Sequence, residues 1–114
     1  MAIDFKNSAV QGIDTGFADV YTCPGTAKSA IIFGMTIANT LSSGSDITVQ
    51  ARIEDLSATT YANIVAPDTP IGSGSSLVVA GGVQKIVLEP GDKIQVTSSD
   101  TDSADVMISA LEIS

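Results

Sequence analysis

Residues 86–98 read IVLEPGDKIQVTS, two short apolar runs held apart by Glu89, Pro90, Gly91 and Asp92. Proline fixes φ at about −65° in the second position of a four-residue turn, and glycine takes the positive φ that a type II turn needs in the third. The spacing therefore predicts a chain reversal between two strands, with the acids as its solvated corners. Two acids beside a glycine also raise the prospect of a metal or catalytic loop. Carboxylates that share acid–base work face each other across a substrate cleft, which two residues of one tight turn do not provide. The reading that follows is a β-hairpin connection rather than a site.

The same punctuation recurs on both sides of this turn. FADVYT (17–22) runs into Pro24 and Gly25, and SAIIFGMTIAN (29–39) follows, with Ile31, Phe33, Met35 and Ile37 expected on one face and Ile32, Gly34, Thr36 and Ala38 on the other. Residues 47–54 alternate most cleanly, Ile47, Val49, Ala51 and Ile53 against Thr48, Gln50, Arg52 and Glu54, the period of a half-buried strand. ATTYANIVA (58–66) reads as a strand, and PDTPIGSGSS (67–76) reads as a surface loop. LVVAG (77–81) and VQKIVLE (83–89) flank a tight turn or bulge at Gly81 and Gly82, and ADVMISALEI (104–113) closes the series. About eight strands at turn-bounded spacing, without helical periodicity, predict an all-β single-domain sandwich of jelly-roll type. Residues 1–16 show no sustained period and are read as an extended N-terminal arm packed on its own domain or on a partner, leaving residues 17–114 as the β-sandwich.

Composition narrows the function. The chain has 114 residues, enough for one domain, and 44% are hydrophobic while only 4% are aromatic, so the core must be aliphatic. Thirteen acids against five bases give a net charge of −8, and Arg52, Lys6, Lys28, Lys85 and Lys93 are scattered. Binding to nucleic acid or to an anionic membrane calls for clustered basic side chains, so neither partner is expected. The single Cys23 rules out an intrachain disulfide and an all-thiolate zinc site. It is expected to be a small buried hydrophobe. MAIDFKNSAVQG (1–12) lacks the basic start and apolar run of a signal peptide, which leads to an expectation of synthesis in the cytoplasm without export.

SSDTDSAD (98–105) places Asp100, Asp102 and Asp105 close together, as the opening of a calcium loop would. An EF-hand loop beginning at Asp100 needs glycine sixth and an acid twelfth, and those positions hold Asp105 and Leu111. The segment is read as a hairpin. GSGSS (72–76) is not followed by the lysine of a phosphate loop. Histidine is absent, and no carboxylate or lysine stands beside a plausible nucleophile, so no enzyme activity, metal, cofactor or small-molecule ligand is expected.

The succession VYTCPGTAKSAIIFGMTIANT, SDITVQARIED, SLVVAGGVQKIVLEPGDKIQVTSS and ADVMISALEI resembles the small all-β virion structural proteins of tailed bacteriophages, the cyanophage-like cement and decoration proteins. The resemblance spans Val20 to Ile113 and rests on turn and core positions; Cys23 departs from the small or β-branched residue expected there. It implies a capsid cement protein, located on the outer surface of the virion, bound as a homotrimer and clamping the major capsid protein. A neck, tail or fibre adaptor, or a host-binding module, is the alternative. Two strands, 29–39 and 104–113, are apolar on both faces, and a two-layer sandwich covers only one, so an oligomer contact is expected independently, the alternative cover being the N-terminal arm folded back over that face. The interface residues expected are Ile3, Phe5, Lys6 and Val10 on the arm, with Ile32, Met107 and Leu111 on the two strands.

Overall fold

The computed structural model describes residues 2–81 and 84–114. Among these, nine strands and no helix occur: β1 (Ile3–Ile13), β2 (Ala18–Thr22), β3 (Ser29–Asn39), β4 (Ile47–Asp55), β5 (Thr60–Ile71), β6 (Ser76–Ala80), β7 (Ile86–Leu88), β8 (Lys93–Ser98) and β9 (Ala104–Ile113). All pairings are antiparallel and nested: β1 with β9, β2 with β8, β3 with both β6 and β7, and β4 with β5. The chain is thus one long hairpin folded over on itself. Pairing of β3 with β9 and of β4 with β8 then divides it into two sheets, ordered β1-β9-β3-β6 (with β7 also on β3) and β2-β8-β4-β5. This is the jelly-roll form of the β-sandwich. Because β6 and β7 lie on successive stretches of the same edge of β3, nine strands fill eight places.

The core lies between the sheets and is aliphatic. Ile32, Met35, Ile37, Leu88 and Ile108 from the first sheet meet Val20, Ile47, Val49, Ile94 and Val96 from the second, all essentially inaccessible to water. Cys23 is fully buried with them, and burial pushes its thiol pKa up. Gly82, part of the expected glycine turn, lies outside the described residues, whereas Gly81 pairs with Gln84 across it.

Three sequence readings are corrected here. The segment 1–16, read as an arm packed on its own domain or on a partner, lies on its own domain and does so as regular structure: Ile3–Ile13 is a full edge strand, paired with β9 from Ile3 opposite Ile113 to Ile13 opposite Ala104. Its short period was hidden by Gly12, which sits at φ 66° in a bulge between Val10 and Ile13. In β3, a bulge between Ile32 and Gly34 shifts the alternation by one. Ala30, Ile32, Met35 and Ile37 therefore all point inward, and Ile32, expected on the interface, is completely buried. Finally, Pro67–Ile71 continues β5 instead of forming a loop. β5 is a sheet edge, where proline is tolerated, and two register shifts against β4 absorb the turn-like residues.

The connection between β7 and β8 is the expected type II turn. Gly91 has φ 88°, and the Asp92 N–H donates to the Glu89 carbonyl at 3.0 Å. Glu89 is exposed, but Asp92 is buried rather than solvated. Its two carboxylate oxygens accept the backbone N–H groups of Leu56 (3.0 Å) and Glu89 (2.9 Å), tying the turn to the end of β4.

Candidate assembly surface

The outward faces of the two sheets differ in kind. On β4 and β8 the outward positions carry Thr48, Gln50, Arg52 and Glu54 against Thr97, Gln95 and Lys93, and these are bonded to one another and to the flanking strands. Arg52 Nε donates to Gln95 Oε1 at 2.8 Å, and Gln95 Nε2 donates to Asp19 Oδ1 at 2.7 Å. Lys93 Nζ lies 3.3 Å from Asp19 Oδ2. The Gln95 amide, helped by Lys93, holds the Asp19 carboxyl below its ordinary pKa. The Arg52 guanidinium sits 3.7 Å from the Phe17 ring centre and 4.0 Å from that of Tyr61, so these two exposed aromatics already carry a cation. This face is polar, internally satisfied and suited to water.

The opposite sheet presents a mostly apolar face. Register fixes its rows: Ile3, Ile113 and Ser29; then Phe5, Leu111, Ile31 and Val87; then Asn7, Ser109 and Gly34; then Ala9, Met107, Thr36 and Val78. These four rows carry no charge, and the next one along, where Ala38 stands opposite Asp105, brings a single carboxylate to the end of the face. Six of the nine large exposed hydrophobic side chains lie on this face: Ile3, Phe5, Phe33, Val78, Val87 and Met107. Phe5 is 76% exposed and meets Phe33 edge to face, ring centres 6.0 Å apart, across β9. Beyond Met107, a depression of about 220 Å³ is lined by Ala9, Thr36 and Ala38 together with Gln11 and Asp105. An apolar sheet face this continuous exceeds what scattered surface hydrophobics account for.

Of the residues expected at an interface, Ile3, Phe5, Met107 and Leu111 share this face. Lys6 and Val10 have the other parity, standing opposite Ala110 and Val106, with Val10 packed against the core. Phe33, Val78 and Val87 belong to the face and were missed. Val78 and Val87 lie inside LVVA and IVL, runs whose unbroken apolarity signals that both faces seek cover; Phe33 was assigned to the wrong face by the β3 bulge.

The other chemistry-bearing groups are committed to the fold. Among the described residues, the one group of three acids with close oxygens is Asp55, Glu89 and Asp92, mutually within 4.8 Å. Asp92 serves the two N–H groups named above, and Asp55 Oδ1 accepts from Ser57 Oγ and Ala58 N. In the β8–β9 hairpin, Asp105 accepts from Gly12 N at 3.1 Å and the Asp102 N–H donates to Asp14 at 2.8 Å. Tyr21 is buried, and its hydroxyl donates to Glu112; burial first, then that carboxylate, raises its pKa well above the ordinary tyrosine value. No buried side-chain nitrogen or oxygen among the described residues lacks a hydrogen-bond partner.

No family model and no curated protein matches the sequence. Solved structures do share its fold. A chain in the acidic stable capsid structure of Helicobacter pylori bacteriophage KHP30 superposes with a TM-score of 0.56 at 6% identity, covering 99% of this chain and 89% of that one. A chain from the Bacillus endospore appendages, a family of disulfide-linked pili, gives 0.52 at 12% identity over 98% and 89%. The Drosophila NLP core, from a structure concerned with pentamer formation and histone binding, gives 0.51 at 10% identity over 99% and 98%. At these identities the likeness is one of fold.

Proposed function

We propose that this chain is a structural, non-enzymatic component of a bacteriophage particle, a cement or decoration protein held on the outer surface of the capsid. The observation that carries the reading is the largely apolar face of the β1-β9-β3-β6 sheet, whose rows from Ile3 to Val78 carry no charge and whose far end holds Asp105, on an otherwise acidic molecule. Such a face gains by burial at roughly 25 cal/mol per Å², and the polar sheet behind it remains in water. The fold neighbours fit an assembly role, since they are described in a capsid, in pili and in a pentamer. The phage resemblance of the strand and turn sequences selects the capsid among these. It also implies three copies at three-fold positions, clamping neighbouring subunits of the major capsid protein.

A host-binding fibre module is disfavoured by the aromatic side chains. Sugars typically stack on Trp or Tyr, and here tryptophan is absent, Tyr21 is buried and the Tyr61 ring already carries the Arg52 guanidinium on one face. The test is co-sedimentation of the purified protein with emptied capsids, in parallel with host-cell polysaccharide. Saturable capsid binding that raises the temperature of shell disruption is expected. Polysaccharide binding without capsid binding would replace this reading with the fibre one.

A further inference from the structure

The depression beside Met107 combines apolar walls with one carboxylate. Ala9, Thr36, Ala38 and Met107 line it from β1, β3 and β9, and Asp105 joins them from the outward side of β9, two residues before Met107. We infer that this depression receives an arginine side chain projecting from the protein that covers the sheet, its methylene stem against the apolar walls and its guanidinium on Asp105. The inference deepens the assembly reading of the same face and rests on it for the source of the arginine.

The case for a cation starts from what covering the face does to Asp105. The residue is half-buried, and its Oδ1 accepts the Gly12 N–H at 3.1 Å, a bond that ties down the β1 bulge. Among the described residues, no lysine or arginine lines the depression. A partner that seals it takes the carboxylate out of water, and a buried carboxylate without a counter-charge is costly. A purely apolar cover is therefore opposed at this corner of the sheet, whereas a cation offsets the cost. The balance of the whole chain acts in the same direction. Thirteen acids against five bases draw basic groups toward the molecule, and the rows from Ile3 to Val78 give such a group no place to settle.

The walls select arginine over lysine. A guanidinium is more weakly hydrated than an ammonium and offers several donors in one plane, so it loses less on entering an apolar depression and can reach Asp105 while the bond to Gly12 is kept. Its stem packs along apolar surface as the head is held. At about 220 Å³ the space is ample, since a cavity of about 150 Å³ holds benzene. An arginine at this end also orients the partner, because the opposite end, around Ile3 and Phe5, offers only apolar contact.

The probe for the depression is n-butylguanidinium, which is arginine without its amino and carboxyl groups. In NMR titrations of the full chain it should shift the Ala38, Asp105 and Met107 resonances saturably at millimolar concentration, and n-butanol, with the same stem and no charge, should not. Asp105→Asn keeps an oxygen for the Gly12 N–H, so it should melt like wild type yet weaken the response about tenfold or more. Met107→Lys, which sets a cation of the chain's own beside Asp105, should weaken it as well. No saturable shift, equal shifts with n-butanol, or either variant responding like wild type would overturn the inference. On emptied capsids, Asp105→Asn should co-sediment about tenfold or more weakly than wild type. Equal binding there would also overturn the inference while the cement reading stands. If wild type itself does not sediment, the cement reading fails, and the titration still decides whether Asp105 holds a guanidinium.

Discussion

At the scale of single residues, Gly91 and Tyr21 carry the clearest consequences. Gly91 has φ 88°, and a Cβ added there would lie 2.5 Å from Leu56 Cδ2. A β-branched side chain in the left-handed region costs roughly 1–2 kcal/mol, so Gly91→Val should lower unfolding free energy by about that much in urea titrations. An unchanged midpoint would contradict the type II turn. Tyr21 titrates above its ordinary value because it is buried and bonded to Glu112. Its stabilising contribution is complete below the unfolded pKa of about 10 and declines as pH rises beyond it, because the unfolded chain then ionises first. Cys23, also shifted up, adds a decline of the same sign from nearer its own unfolded value, about 8.5. Thermal melts between pH 8 and 11 should fall less steeply for Tyr21→Phe than for wild type; equal slopes would remove the Tyr21 account. The turn was legible in the sequence because proline and glycine each demand one conformation. The burial of Asp92 was not, because its partners Leu56 and Glu89 meet it only after β4 and the turn come together.

At the scale of elements, β1 departs most from its sequence pattern. It is fixed by its ladder with β9 and by Ile13, while its inward side chains before Val10 are Asp4, Lys6 and Ser8, of which Ser8 donates to the Val20 carbonyl. With little apolar surface buried, β1 should open locally more often than the strand it pairs with. Hydrogen exchange should find amides of Phe5–Ala9 less protected than those of Val106–Ala110, and equal protection would contradict this. Deleting residues 2–13 should do more than trim an appendage. It bares the β9 edge and uncovers one end of the core, so the truncated protein should lose several degrees of melting temperature and tend to aggregate; a truncated chain that melts like wild type would restore the arm reading. Strands with regular alternation, such as 47–54, were legible in full. β3 and β5 were legible as strands but not in their facing or extent, because a bulge changes parity through pairing geometry that no local residue pattern encodes.

At the scale of the whole molecule, the jelly roll follows from nested antiparallel pairing, and its consequence is a division of labour between the sheets. One outer face carries an Asp19–Gln95–Arg52 chain, while the other offers Phe5, Phe33, Val78, Val87 and Met107 with Asp105 at its far end. The sequence anticipated an uncovered apolar face from the twin apolar strands. It did not reveal which side chains share that face, because this follows only when the β1, β9 and β3 registers align. The most direct measurement is a cryo-EM reconstruction of the phage particle that contains this chain. The account predicts jelly-roll density on the outer capsid surface, with the β1-β9-β3-β6 face buried in a protein contact and the Arg52 face turned to solvent. Density confined to the neck, tail or fibres, or capsid-bound copies with the Phe5 face bare to solvent, would contradict it.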